Sequence, residues 1–142
     1  MLQRHSPFLK LQDYFDCFAD TTAADELQKV PQEPDQEEAA IKWLALAILH
    51  GLSCRSDAIE LTRSSSGEVR AEMSGGTLTP PDRELAPRVF EAVRRIAHLD
   101  GDQEGTPLAI GIRNDSLECR VEVRRTPKGE TFLIRLPNVG TA

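Results

Sequence analysis

The chain has 142 residues, a formal charge of −6 and only 5% aromatic residues. That length suits one domain with a proper core of Leu, Ile, Val and Ala, whereas two domains would both be marginal. The longest strongly apolar stretch, "IKWLALAILHGL", is too short to span a bilayer and carries Lys42 and His50.

From the N-terminus, "MLQRHSPFLKLQDYFD" has neither an uninterrupted apolar core nor a small-residue cleavage site. No secretory signal is expected, and the expected location is cytoplasmic. Phe8, Leu11, Phe15 and Phe18 fall at helical spacing and predict a short amphipathic helix over 8–18. Two readings stay open for it: it folds back on the domain, or it docks on a partner through Phe8, Phe15 and Phe18. Residues 1–40 hold three basic and nine acidic side chains, which is the whole net charge, and the remaining 102 residues balance at 14 of each sign. Residues 21–38, "TTAADELQKVPQEPDQEE", are poor in large apolar side chains and contain two prolines. They read as an acidic linker that cannot repay its ordering entropy, so residues 1–37 are expected to form a flexible N-terminal segment.

The body is expected over 38–137, with a tail over 138–142. A helix from about Glu38 to Leu52 is predicted by Ile41, Leu44, Ala45, Ile48, Leu49 and Leu52, with Gly51 as its stop. Strands around Ala58–Thr62 and Glu68–Met73 flank "RSSSG", a hairpin connection. Pro80 and Pro81 bar a helix before Asp82. The next helix should run from about Glu84 to Leu99, with Leu85, Val89, Ala92, Val93 and Ile96 on one side and Pro87 in its first turn. Its other side carries Arg88, Glu91, Arg94 and Arg95 and reads as a solvated face. Three strands follow: Leu108–Ile112, Leu117–Arg124 and Glu130–Leu136. In the second, Leu117, Cys119, Val121 and Val123 point one way and Glu118, Arg120, Glu122 and Arg124 the other. Helix, two strands, helix and three strands make an α+β domain whose mostly antiparallel sheet is packed by two helices.

Cys17, Cys54 and Cys119 lack the short paired spacings of a zinc site or a disulfide framework, and His5, His50 and His98 form no metal-binding repeat. No metal or other cofactor is expected. Ser64, Ser65 and Ser66 are not framed as a nucleophile elbow, and Glu118 and Glu122 share a strand face with Arg120 and Arg124 rather than forming an isolated acid and base.

The stretches "RSDAIEL", "VRAEMSGGTL", "PPDRELAPRVFEAVRRIAHLD", "TPLAIGI" and "LECRVEVRRTPKGETFLIRL" occur in that order from Ile41 to Leu136. They resemble the domain that precedes the nucleotide-binding core in the ring-shaped ATPases of type II secretion and type IV pilus assembly. In that family the stretches read "ASDIH", "VRYRIDG", a proline-marked helix ending near "MANLD", a strand after "P", and a hairpin "VDLRVSTLPTxxGExVVxRLL". Matched positions include Ser56, Asp57, Val69, Arg70, Gly75, Leu99, Asp100, Pro107, Arg120, Val121, Gly129, Glu130, Arg135 and Leu136. The resemblance implies a PAS-like α+β fold.

Departures from the family shape the functional expectation. The chain runs six residues beyond the hairpin and contains no Gly followed by Lys, so a phosphate loop is not expected. The family's "DGR" and "RIDG" are replaced by "AIG" and "EMSG". The chain is therefore expected not to be an enzyme and not to bind ATP on its own. The leading expectation is a binding or assembly module acting by protein contact, with a secretion or pilus ATPase or a second copy as partner. Arg120, Arg124 and Arg135 would lie on the wet face of the hairpin as partner-binding residues. Small-ligand sensing by a PAS-like sheet is the alternative. Nucleic-acid binding through Arg88, Arg94, Arg95, Arg120, Arg124 and Arg125 ranks third, because the body is charge-balanced and its strands carry no aromatic platform.

Overall fold

A computed structural model of the chain describes residues 7–97, 106–112 and 115–137. It contains helices α1 (Pro7–Phe18), α2 (Ala23–Leu27), α3 (Gln36–Ser53) and α4 (Ala86–Ala97), and a 3₁₀ turn at Val30–Gln32. The strands are β1 (Ala58–Ser64), β2 (Val69–Met73), β3 (Thr106–Ile112), β4 (Asp115–Thr126) and β5 (Gly129–Arg135). They form one antiparallel sheet in the order β2-β1-β5-β4-β3, so the fold is α+β.

Strand alternation decides which face is dry. Ile59 and Leu61 of β1, Phe132 and Ile134 of β5, Cys119, Val121 and Val123 of β4, and Leu108 and Ile110 of β3 are all buried. The opposite phase, including Glu60, Arg70, Glu72, Arg120, Arg124 and Arg135, is exposed. Helix α3 packs against β1 and α4, and α4 also meets β3. Burial pushes the Cys119 thiol up to about 11.

The expectations for the N-terminal segment need correction. Segment 21–38 is not a bare linker: it forms α2 and the 3₁₀ turn, and it buries Ala23, Leu27 and Val30. Those three side chains, though few, land on the same core, and Pro31 falls where a helical turn begins and no backbone donor is needed. Ahead of it, α1 lies against α3 and β3, with Leu11 and Phe15 at 0% exposure. The Gln12 side-chain amide pairs with the edge strand, accepting from Gly111 N–H at 3.0 Å and donating to Gly111 C=O at 3.3 Å. Tyr14 donates to Glu38 at 3.2 Å and Lys10 pairs with Glu38 at 3.0 Å. The sheet is accordingly packed by more than the two expected helices, and residues 7–37 are part of the body. The 138–142 tail lies outside the described residues.

Gly51 does not stop α3, which continues to Ser53. It is a point of close approach, since a Cβ there would come within 2.7 Å of Leu136 and 3.2 Å of Ile59. The helix ends two residues later in a Schellman arrangement: Ser56 N–H bonds Gly51 C=O at 2.9 Å and Arg55 N–H bonds Leu52 C=O at 3.1 Å. Arg55 takes the left-handed conformation, φ 56°, that glycine usually supplies there. At its other end α3 is capped by Asp35, which accepts from Glu37 N–H and Glu38 N–H. Helix α4 starts at Ala86, later than expected, because the preceding turn is organised by Asp82, whose carboxylate accepts from Leu85 N–H at 2.7 Å. Leu99 lies outside the described residues.

No helix among the described residues is long and apolar enough to cross a membrane.

Candidate functional site: an arginine-walled cleft

The residues singled out by the sequence separate into three places. Phe15 is fully buried and is unavailable to a partner in this fold; Phe8 and Phe18 are half-buried against the core. Phe18 stacks on Tyr14 at 6.1 Å and lies under the Lys42 ammonium, 5.2 Å from the ring centre. Of the two readings of this helix, the structure displays the folded-back one. Arg120, Arg124 and Arg135 do stand on the open face of the sheet, with Arg120 directly opposite Arg135 in the β4/β5 register. Glu122 moderates that like-charge neighbourhood, accepting from Arg135 Nε at 2.5 Å and lying 3.7 Å from Arg124.

The third place was not anticipated. Glu130 is a buried residue, 8% exposed, on the same phase of β5 as Phe132 and Ile134. The register sets Arg63 of β1 and Arg125 of β4 on either side of it. Arg94 descends from α4 to pair with the same carboxylate, Arg125 Nε reaches its Oε2 atom at 3.0 Å, and Arg63 lies 3.7 Å from Oε1. Oε1 itself is buried without a hydrogen-bond partner among the described residues.

Aromatic rings hold two of these guanidinium groups in position. Arg63 lies over Phe90 at 4.9 Å and Arg94 over Phe132 at 5.4 Å, and the two rings pack on each other at 4.9 Å. Burial, reinforced by Arg125 and Arg63, pushes the Arg94 guanidinium below its ordinary value. A fourth arginine, Arg83, comes from the segment before α4 and donates to Ser66 C=O at 3.2 Å. Together they wall a cleft of about 590 Å³ at the β1–β2 and β4–β5 turn end of the sheet, which Pro87, Gly67 and Gly129 also line.

Local backbone chemistry keeps this corner tight. Gly129 sits at φ 150°, and any Cβ there would collide with the Arg63 carbonyl. The serines that could have suggested a nucleophile serve the turn: Ser64 Oγ lies 2.9 Å from Ser66 Oγ and accepts from Glu68 N–H at 3.0 Å. Across the described residues, no group of three or more His, Cys, Asp or Glu side chains converges as a metal site would require.

Chemically, the described residues that line this small volume bring four arginines to one carboxylate, with Glu91 acting on Arg94 from outside the lining, within a chain whose overall charge is negative. One guanidinium would neutralise one carboxylate. The excess leaves a positive field in an open cleft, where Arg63 and Arg94 are partly shielded from water and Arg83 and Arg125 are exposed. No protein-family model matches the chain, and no curated protein matches it.

Proposed function

We propose that this chain is a non-catalytic binding module whose working site is the arginine-walled cleft, taking a small anionic ligand there. The observation that carries the reading is the imbalance of charge among the described residues that line the cleft: Arg63, Arg83, Arg94 and Arg125 against the Glu130 carboxylate. Planar guanidinium groups fit carboxylate and phosphate oxygens in bidentate fashion, and two of these four are already fixed over aromatic rings. The cleft also lies within the 300–1,000 Å³ range usual for small-molecule sites. Of the readings drawn from sequence, this geometry supports ligand sensing above protein contact. The expectation about ATP rested on the missing phosphate loop; the cleft offers phosphate groups a separate route, without an aromatic residue among its described lining to stack a base.

A second reading, docking of a protein on the open face of the sheet, draws on the exposed Arg120, Arg124 and Arg135. The resemblance to the motor domains of secretion and pilus assembly belongs with this reading. A thermal-shift titration with sodium orthophosphate at constant ionic strength tests the first. Stabilisation that saturates, and that Arg63→Ala and Arg83→Ala weaken while Arg120→Ala does not, is expected. Equal shifts in all four proteins would overturn it.

A further inference from the structure

An anion already occupies part of the cleft, and it is the chain's own. Glu130 Oε2 is shared by Arg94 and Arg125, whereas Arg63 stands 3.7 Å from Oε1 and, among the described residues, Arg83 donates to the neutral Ser66 carbonyl. The four arginines therefore divide into a pair engaged by the carboxylate and a pair engaged weakly. Because Glu130 is tethered, it competes at Arg94 and Arg125 with an effective concentration on the order of millimolar or above. A free ligand with one anionic group must displace it or settle for Arg63 and Arg83. With two adjacent anionic groups, a ligand can seat one on Arg63 and Arg83 and contest the other pair with the second.

We infer that Glu130 is a built-in competitor that sets the charge threshold of the cleft, and that the ligand is a diphosphate or another small molecule with two adjacent phosphoryl groups. The inference rests on the anion-binding reading above. Phosphoryl chemistry fits better than carboxylate because the guanidinium groups arrive from four different places: β1, β4, α4 and the segment before α4. A phosphoryl group offers three oxygens in a tetrahedral array to such converging donors, whereas a carboxylate offers two in one plane. Since none of the described lining residues is aromatic, the phosphates and not an attached base define the class.

The test is calorimetry on the full chain at constant ionic strength with sodium pyrophosphate, orthophosphate and citrate, using wild type, Glu130→Gln and Arg83→Ala. Wild type should bind pyrophosphate at least about tenfold more tightly than the other two. Glu130→Gln should tighten pyrophosphate, which contests Arg94 and Arg125, more than orthophosphate, so that the ratio grows, and Arg83→Ala should weaken pyrophosphate by about tenfold. Orthophosphate bound as tightly as pyrophosphate by wild type would overturn this inference while leaving the anion reading intact. Citrate equal to pyrophosphate would overturn the phosphoryl assignment, and an unchanged ratio in Glu130→Gln would overturn the role of Glu130. No heat from any of the three anions would remove both readings. Should Glu130→Gln fail to fold, Arg83→Ala decides: full retention of the wild-type affinity for pyrophosphate overturns the two-pair arrangement.

Discussion

The two faces of the sheet use arginine in opposite ways. Arg124 and Arg125 are neighbours in sequence, yet Arg124 lies with the open-face group around Glu122 and Arg125 reaches Glu130 on the side covered by α4. On the open face Glu122 meets arginines that are more than half exposed, where pairing is screened by water and salt. On the covered face the carboxylate is only 10% exposed, and two of its three arginines are about 30% exposed with rings beneath them. Composition is therefore a poor guide to what an arginine does. Strand phase, and the helix that arrives above it, decides.

Removing the N-terminal helices that complete the core is the most drastic way to break this comparison. Truncation of residues 1–36 strips Leu11, Phe15, Leu27 and Val30 from the core, each contributing about 1.5–3 kcal/mol relative to exposure. The total approaches the 5–15 kcal/mol that typically holds a whole domain together. Amide NMR of the truncated chain should show collapsed dispersion; a spectrum that overlays the full chain's for the body would refute the account of α1 and α2.

A less drastic change attacks the covered carboxylate alone. Glu130→Ala leaves Arg63, Arg94 and Arg125 facing one another and should cost about 2 kcal/mol in urea unfolding, below the 3–5 typical of a fully buried pair because these arginines keep access to water. Glu122→Ala on the open face should cost no more than about 1 kcal/mol. Equal costs would erase the distinction between the faces. The covered face also carries a pH signature. With the Cys119 thiol raised to about 11 from an ordinary 9, the folded state favours the protonated form, so this contribution is complete below pH 9 and lost as pH rises towards 11. Cys119→Val should flatten that part of the stability profile.

The smallest effect belongs to the open face. Arg120→Ala combined with Arg135→Ala should change stability by less than about 1 kcal/mol and leave orthophosphate affinity unchanged. Loss of a captured protein in pull-down by the same double substitution would support the second reading of function. Unfolding would mean that the strand phase assigned to the hairpin is wrong.

Much of the fold was legible because apolar periodicity carried it. Leu117, Cys119, Val121 and Val123 marked the dry face of β4, and the stripe from Ile41 to Leu52 marked α3. Segment 21–38 misled because its buried side chains are few and interrupted, and only the complementary surface of α3 makes them sufficient. Gly51 misled because a glycine near a helix end resembles a stop, whereas its missing side chain is needed for contact with Leu136.

The cleft had a signal that went unused. Arg63 continues the phase of Ile59 and Leu61, Arg125 that of Val121 and Val123, and Glu130 that of Phe132 and Ile134. Charges that extend an apolar phase to the end of three strands must meet one another or a ligand. Which strands adjoin, and that Arg94 and Arg83 close over them, depends on the order β2-β1-β5-β4-β3, which one-dimensional patterning does not encode.

Amide NMR titration of the full chain with sodium pyrophosphate tests the central claim most directly. Peaks of Ser65, Gly67 and Gly129, which line the cleft, should move and saturate together, while those of Arg120 and Arg135 on the open face stay fixed. Shifts confined to the open face, or no saturable shift anywhere, would contradict the assignment of this cleft as the working site.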